Sequence, residues 1–133
     1  QPSQSIRELG VRMKHSANRT IIEGKSIVLL DDSIVRGTTS VKIVRMMREA
    51  GAREVHFRIA SPPITHPDYY GIDTPSRDNL LAARMNLEEM RAYVGADSLA
   101  FLSVDGVHRA CGYAGRDNAR PQFTDHCFTG DYP

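Results

Sequence analysis

The sequence predicts an α/β protein built on a parallel sheet. Three segments are predicted as strands, Ser26–Leu30, Glu54–Ala60 and Leu99–Val104, and helical patterns separate them. Strands that alternate with helices are typical of a parallel sheet whose strands are joined by crossover helices. A chain of 133 residues is long enough for one domain with its own hydrophobic core.

The first half contains the first predicted strand and the first predicted helix. The apolar run Ser26–Leu30 is continuous, which predicts a strand buried on both faces. The basic stretch 10–25 before it predicts a partly mobile loop with an extended segment at Thr20–Ile22. After the strand, apolar residues at helical spacing predict a helix over Ser40–Ala50, and Gly51 suits the position just past a helix end.

The second half continues the alternation of strands and helices. Asn86 and Glu89 form a capping box, which marks the start of a helix. The predicted elements are, in order, a strand at Glu54–Ala60, a loop at Ile64–Asp73, a helix at about Ser76–Arg84, a helix from Asn86 to Gly95, a strand at Leu99–Val104, and an irregular segment from Cys111 onward.

Composition excludes several classes of protein. The chain has 17 Lys and Arg against 16 Asp and Glu, a net charge of +1, so a basic surface for nucleic acid is not expected. No apolar run approaches the length of a membrane span, and we expect no membrane partner. The two cysteines, Cys111 and Cys127, cannot form the disulfide framework of a small secreted protein. These features favour a reducing, cytoplasmic compartment.

A polar segment at the end of the first strand carries the chemistry. Asp31 and Asp32 end the apolar run, and ligands of open α/β sheets bind at the carboxyl ends of strands. The loop that leads into the helix consists of Ser33, Ile34, Val35, Arg36, Gly37, Thr38, Thr39 and Ser40. Backbone N–H groups of such a loop bind anions, whereas carboxylates accept hydrogen bonds from sugar hydroxyls or hold Mg²⁺ through water. Both features suit a ribose 5-phosphate.

The stretch from Val28 to Ser40 closely resembles the phosphoribosyl pyrophosphate (PRPP) signature of type I phosphoribosyltransferases. Flanking stretches narrow the resemblance to the amidophosphoribosyltransferase family, which uses glutamine in the first committed step of purine synthesis. These stretches are Gly10–Lys14 with Ala17–Arg19, Ser61–Ile64, Tyr70–Asp73, Phe101–Val104 and Cys127–Gly130. The resemblance implies an incomplete type I phosphoribosyltransferase fold, with residues 1–133 forming the C-terminal part of that domain.

The resemblance also implies roles for individual residues. Asp31 and Asp32 would contact the ribose hydroxyls and Mg²⁺, and Ser33–Ser40 would surround the 5-phosphate. A basic lid over the pyrophosphate corresponds to Arg12–Arg19, with Lys14 as its best candidate. Such a lid would balance the charge of the leaving group and exclude water from C1.

Three functions remain open at this point. In the first, the chain is a fragment of an enzyme that transfers the glutamine amide nitrogen to PRPP, with purine nucleotides as feedback inhibitors. In the second, it is a non-catalytic regulator that binds PRPP or a nucleotide on the same fold, although no DNA-binding region is evident. In the third, it is another phosphoribosyltransferase, such as an orotate or hypoxanthine enzyme.

The sequence also departs from the family pattern. Nothing in it matches the glutaminase domain, so we expect the isolated chain to be inactive. In members with an iron–sulfur cluster, cluster cysteines correspond to Asp68, Thr124 and Cys127. One thiolate cannot hold a cluster that takes four, so no cluster is expected. Cys127 is then expected to be an ordinary, mostly buried thiol.

Two further expectations concern histidines and assembly. His66, His108 and His126 show no paired metal-ligand spacing and are expected to be solvated or loop residues. A partial sheet leaves a strand edge unpaired, and such edges are sites of association. We therefore expect a homo-oligomer, formed by dimerisation or strand exchange.

Overall fold

The computed structural model describes residues 17–133. Its helices and strands are, in chain order, α1 (Arg19–Ile22), β1 (Ser26–Asp31), α2 (Thr38–Glu49), β2 (Glu54–Ile59), a 3₁₀ turn (Arg77–Asn79), α3 (Leu81–Arg84), α4 (Leu87–Val94), β3 (Ser98–Phe101), α5 (Val104–Ala110) and α6 (His126–Thr129). The order of strands and helices confirms the predicted α/β class.

The three strands form one parallel sheet in the order β1-β2-β3. Ser26 pairs with Glu54 at the start of β1 and Asp31 pairs with Ile59 at its end. The pairing of β2 with β3 ends at Ile59 and Phe101. Because all three strands run in one direction, their carboxyl ends lie along the same edge of the sheet.

One face of the sheet is covered by helices and forms the core. Val55, Phe57 and Ile59 alternate along β2 and are at most 3% exposed. They pack in one cluster with Val44 of α2 and Val94 of α4. The alternation predicted for Glu54–Ala60, with one drier face, is confirmed.

The opposite face of β1 is open in this structure. Val28 and Leu30 are 64% and 75% exposed. The prediction that β1 is buried on both faces is therefore wrong for residues 17–133, because their helices α2 and α4 cover only the other face. An apolar strand run alone does not tell which of its faces a chain segment covers.

Three other predictions differ from the structure. The segment predicted as extended, Thr20–Ile22, is helical, because the Asn18 side chain accepts a hydrogen bond from the Thr20 N–H and starts α1. The helix predicted over Ser76–Arg84 is interrupted at Leu80, which has extended backbone angles. The strand predicted over Leu99–Val104 ends at Phe101, and α5 follows it.

The capping box at the start of α4 is confirmed. The Asn86 side chain accepts a hydrogen bond from the Glu89 N–H at 2.9 Å, and the Glu89 carboxylate accepts one from the Asn86 N–H at 2.8 Å. Residues 64–73 contain no helix or strand, as predicted. Within residues 17–133, the structure has no helix with the length and apolar character needed to span a bilayer.

Candidate functional site

The carboxyl ends of the three strands meet at one edge. The Ala60 N–H donates to the Asp31 carbonyl at 2.9 Å, and the Leu102 N–H donates to the Ile59 carbonyl at 3.0 Å. These bonds continue the pairing past the last residues of β2 and β3. The polar segment after β1 therefore starts at the edge where ligands of parallel sheets bind.

The acid pair lies at this edge with little protein around it. Asp31 is half-buried and Asp32 is exposed. One Asp31 oxygen accepts the Asp32 N–H at 3.0 Å, and one Asp32 oxygen accepts the Ser33 hydroxyl at 3.3 Å. Hydrogen bonds within residues 17–133 therefore involve one oxygen of each carboxylate, which leaves the second oxygens available to a ligand.

The segment Ser33–Ser40, called the phosphate loop after the ligand that the sequence predicts for it, connects the acid pair to α2. Ile34 anchors it in the core and is 2% exposed. Gly37 has φ = 79° and is the residue from which α2 begins, a conformation that glycine adopts without strain. The helix starts at Thr38, ahead of the predicted Ser40, so the hydroxyl residues occupy its first turn.

The first turn of α2 is suited to an anion. Gly37 caps the helix without a side chain, so no side-chain hydrogen bond satisfies the amides at this end. The N–H groups of Thr38, Thr39 and Ser40 have no partner within the helix, and the helix dipole places positive potential there. Thr38 and Thr39 are exposed, so a phosphate can reach these amides from solvent.

The structure thus has the acid pair and the phosphate loop at one edge of the sheet, and their roles as ligand contacts stay predictions. The best lid candidate, Lys14, lies outside the described residues, together with most of Arg12–Arg19. At the described end of that stretch, Arg19 lies in α1 and forms an exposed ion pair with Glu23 at 3.2 Å.

A second polar cluster joins the loop 64–73 to α6, and the sequence did not predict it. His126 is 2% exposed and its Nε2 contacts the Asp68 carboxylate. The His126 ring stacks on Tyr132 at 5.0 Å and meets the edge of Tyr70 at 5.2 Å. The expectation that His126 is a solvated loop residue is wrong, because its partner lies 58 residues earlier in the chain.

Asp68 has further partners that hold its negative charge. The Ile72 N–H donates to Asp68 at 2.7 Å and the Tyr70 N–H donates at 3.1 Å. The Ile72 N–H, and after it His126, hold the pKa of Asp68 below its ordinary value, against the opposing effect of burial. Asp68 is thus a structural carboxylate, ionised at neutral pH.

A third buried group surrounds Asp125. His108 Nε2 lies 3.1 Å from Asp125, and Arg116 donates to the same carboxylate through Nε at 2.6 Å and through its terminal nitrogen at 3.1 Å. Burial alone would raise the pKa of Asp125, but the hydrogen bonds from Arg116 and His108 hold it below its ordinary value. His108 is 1% exposed, so the expectation of a solvated histidine is wrong here too, and His66 is half-buried.

Both buried histidines keep one ring nitrogen without a partner. His108 Nδ1 and His126 Nδ1 are buried and make no hydrogen bond to any of residues 17–133. Among residues 17–133, no three His, Cys, Asp or Glu side chains are grouped closely enough to hold a metal ion. Cys111 is exposed, and Cys127 is half-buried with a pKa raised by burial.

The parallel sheet and its strand-end phosphate loop define the chain as a type I phosphoribosyltransferase fold, the class to which the solved structures that match it belong. Over its whole length the chain is related to the amidophosphoribosyltransferases. It is 66% identical to the enzyme of Rhizobium etli over 134 aligned positions, which make up 27% of that protein. It is also 56% identical to the Bacillus subtilis enzyme, of which it covers 28%, and 56% identical to a chloroplastic enzyme of Arabidopsis thaliana, of which it covers 23%. No family model matches the sequence.

The chain also matches solved structures over its whole length. One is glutamine PRPP amidotransferase from B. subtilis in complex with ADP and GMP, with a TM-score of 0.83 and 55% sequence identity. Another is described as the allosteric regulatory enzyme of purine biosynthesis, with a TM-score of 0.80 and 53% identity. The chain spans 29% and 28% of these structures, about the same fraction as for the curated relatives.

Proposed function

We propose that the chain supplies the ribose 5-phosphate half of an amidophosphoribosyltransferase active site. The whole enzyme would hydrolyse the side-chain amide of glutamine with one water, which breaks its C–N bond and gives glutamate and ammonia. The ammonia nitrogen would then form a bond to C1 of PRPP with inversion while the bond from C1 to the pyrophosphate oxygen breaks. The leaving oxygen would keep the electron pair, and the nitrogen would lose a proton to give 5-phosphoribosylamine.

One observation carries this proposal. Only the five residues Ser33–Gly37 separate the acid pair from the first turn of α2, which has no side-chain cap, at the carboxyl edge of the sheet. In this proposal the amides of Thr38 and Thr39 would bind the 5-phosphate. The oxygens of Asp31 and Asp32 that accept no hydrogen bond from residues 17–133 would accept hydrogen bonds from the ribose hydroxyls. Holding both ends of the sugar would orient C1 for attack.

The acid pair also fits Mg²⁺. Magnesium usually keeps several waters and binds through one or two carboxylates together with substrate phosphates, so it needs no cage of protein ligands. Asp31 and Asp32 would hold it, and when bound it would neutralise charge on the departing pyrophosphate. Lys14 would add positive charge from the lid.

An iron–sulfur cluster does not fit the residues that correspond to its cysteines. The Asp68 carboxylate accepts hydrogen bonds from two backbone N–H groups and contacts His126, so it is already paired within the protein. Thr124 is exposed and has no thiol to offer iron. Burial raises the pKa of Cys127, which favours the thiol over the thiolate that iron would need. We therefore propose that the Asp68–His126 pair takes the place of a cluster as the connection between the loop 64–73 and α6.

Purine nucleotides are proposed to bind at the same phosphate loop. The B. subtilis relative has been solved with ADP and GMP, and a nucleoside monophosphate carries the same ribose 5-phosphate group as PRPP. A non-catalytic regulator would bind the same ligands, PRPP or a nucleotide, but no observation in this structure favours that function over the enzyme. A homo-oligomer and a cytoplasmic location stay predictions.

A chimeric enzyme tests the proposed function. The 133 residues would replace the matching segment of the R. etli enzyme, which is 66% identical. The chimera is expected to form phosphoribosylamine, and Asp32→Asn is expected to lower its turnover on the order of 100-fold through loss of a contact to the reacting sugar.

Asp78→Asn is the matched control, since Asp78 is an exposed carboxyl in the 3₁₀ turn. Its turnover is expected to stay within about twofold of the parent chimera, as for surface substitutions away from a site. A fully active Asp32→Asn chimera would disprove the assigned role of the acid pair.

A further inference from the structure

The phosphate loop rests on α3 and α4, two helices outside the site just described. Ile34 is the first anchor, since it packs in the same core cluster as Leu81 of α3 and Val94 of α4. Leu81 and Val94 are 0% and 2% exposed. The side of the loop away from solvent is therefore in contact with these helices rather than with the sheet alone.

A backbone hydrogen bond forms the second anchor. The Leu81 N–H donates to the Val35 carbonyl at 2.9 Å. Leu81 is the first residue of α3, and the first N–H groups of a helix have no partner within it. The Val35 carbonyl thus accepts a hydrogen bond from an N–H group that has no partner within α3. The same bond fixes the orientation of the peptide group between Val35 and Arg36.

Gly37 forms the third anchor through a close approach of side chains. A Cβ atom at Gly37 would lie 2.7 Å from Leu81 Cδ2 and 3.0 Å from Tyr93 Cε1. The aromatic ring and the leucine methyl therefore fill the space in which any other residue at this position would place its Cβ atom. Tyr93 is 40% exposed, so its ring lies at the border of the core, beside the residue from which α2 starts.

We propose that Tyr93, with Leu81, is a positioning residue for phosphate binding. The Tyr93 ring holds the Gly37 backbone at φ = 79°, and this orientation sets the directions of the Thr38 and Thr39 amides. A binding site depends on such supporting contacts to within fractions of an ångström. The ligand part of the proposal rests on the proposed function, whereas the loop part does not.

The experiment measures the loop and the ligand separately in the full 133-residue chain. Loop exchange is hydrogen exchange at the Val41 and Leu81 amides, which donate to the Gly37 and Val35 carbonyls of the loop at 3.0 and 2.9 Å. It reports the order of the loop without ligand. Calorimetric titration with ribose 5-phosphate reports affinity. Tyr93→Ala is expected to speed exchange in the loop about tenfold and to weaken ribose 5-phosphate about five- to tenfold. Tyr93→Phe keeps the ring and is expected to restore both values to within about twofold.

Leu87→Ala is the matched control, because Leu87 lies on the same helix and is 51% exposed. It is expected to leave loop exchange and affinity within about twofold of the original chain. If Tyr93→Ala fails to fold, Tyr93→Leu replaces it, because leucine keeps an apolar contact. Tyr93→Leu is expected to speed loop exchange and weaken ribose 5-phosphate binding, both by less than Tyr93→Ala.

The outcomes separate the two proposals. Loop exchange that is unchanged in Tyr93→Ala, or faster exchange with unchanged affinity, would overturn the positioning role. If exchange rises as expected while even the original chain fails to bind ribose 5-phosphate, the support of the loop by Tyr93 holds and the ligand of the proposed function is wrong.

Discussion

The phosphate loop and the C-terminal cluster, made of Asp68, His108, Arg116, Asp125 and His126, are both polar, but they use their polar groups differently. Asp32, Thr38 and Thr39 are exposed and have oxygens or amides without protein partners among the described residues. In the C-terminal cluster, every carboxylate is paired, and the side chains of Asp68 and Asp125 are 5% and 8% exposed. Exposed polar groups without a protein partner can bind a ligand, whereas buried charged groups that pair with one another stabilise the fold.

The largest expected effect is on the stability of the C-terminal cluster. Asp125→Ala removes the carboxylate that Arg116 and His108 share, and Arg116 is only 10% exposed. Removing one partner of a buried pair costs about 3–5 kcal/mol, because the other charge stays buried. In Asp125→Ala, Arg116 would keep only the exposed carboxylate of Asp131 as an ionised partner among the described residues. The free energy of unfolding in urea, measured at neutral pH, checks this value.

Asp131→Ala is the control for the same guanidinium. Asp131 also contacts Arg116, at 2.7 Å, but is 55% exposed. Exposed ion pairs contribute at most about 1 kcal/mol, so Asp131→Ala is expected to cost less than that. Equal losses in the two variants would show that burial does not decide the strength of this cluster.

A smaller effect is expected on the pH dependence of stability. The native pKa of Asp68 lies below its ordinary value of 3.8, so its ionised form stabilises the fold at all pH values above the unfolded pKa. This contribution is lost as the pH falls through the native pKa. The difference in free energy of unfolding between the original chain and Asp68→Asn is thus expected to be constant above about pH 5 and to shrink below about pH 4.

Urea unfolding from about pH 7 to about pH 2.5 measures this difference. Asp78→Asn changes an exposed carboxyl, so its free energy of unfolding is expected to vary with pH in the same way as that of the original chain. If the difference in free energy of unfolding between the original chain and Asp68→Asn does not change with pH, the hydrogen bonds to Asp68 do not depend on its charge.

The smallest effect is expected at the acid pair. Asp32 is exposed and accepts one long hydrogen bond, from the Ser33 hydroxyl at 3.3 Å. Asp32→Asn is therefore expected to change the free energy of unfolding by no more than about 0.5 kcal/mol, although it impairs the chimeric enzyme. A loss above about 1 kcal/mol would place Asp32 among the structural carboxylates and weaken the contrast between the two regions.

The two regions also differ in how far the sequence predicts them. The acid pair, the loop and the start of α2 lie within ten positions of one another, so one local pattern contains the whole arrangement. His126 and Asp68 are 58 positions apart, and His108 and Asp125 are 17 apart, so no local pattern relates them. The helix α5 was missed because Val104 continues an apolar run and Gly106 lowers helix propensity.

The apolar character of β1 on both faces has a consequence for folding errors. Ile27 and Leu29 face the helices while Val28 and Leu30 face outward, so a slip by one residue would exchange two equally apolar faces. Hydrophobic burial alone does not prevent this slip. Contacts at the two ends of the strand have to do so.

Backbone hydrogen bonds can form in either register, so side chains have to distinguish the two. The Ser26 hydroxyl donates to the Glu54 carboxylate at the start of β1, and Ile34, just beyond its end, is 2% exposed in the core. A slip would move Asp31 along the sheet by about 3.3 Å, the rise of one strand residue, and would displace Ile34 and the phosphate loop with it. One hydroxyl and one buried isoleucine at the ends of β1 thus set both the register of the sheet and the position of the loop.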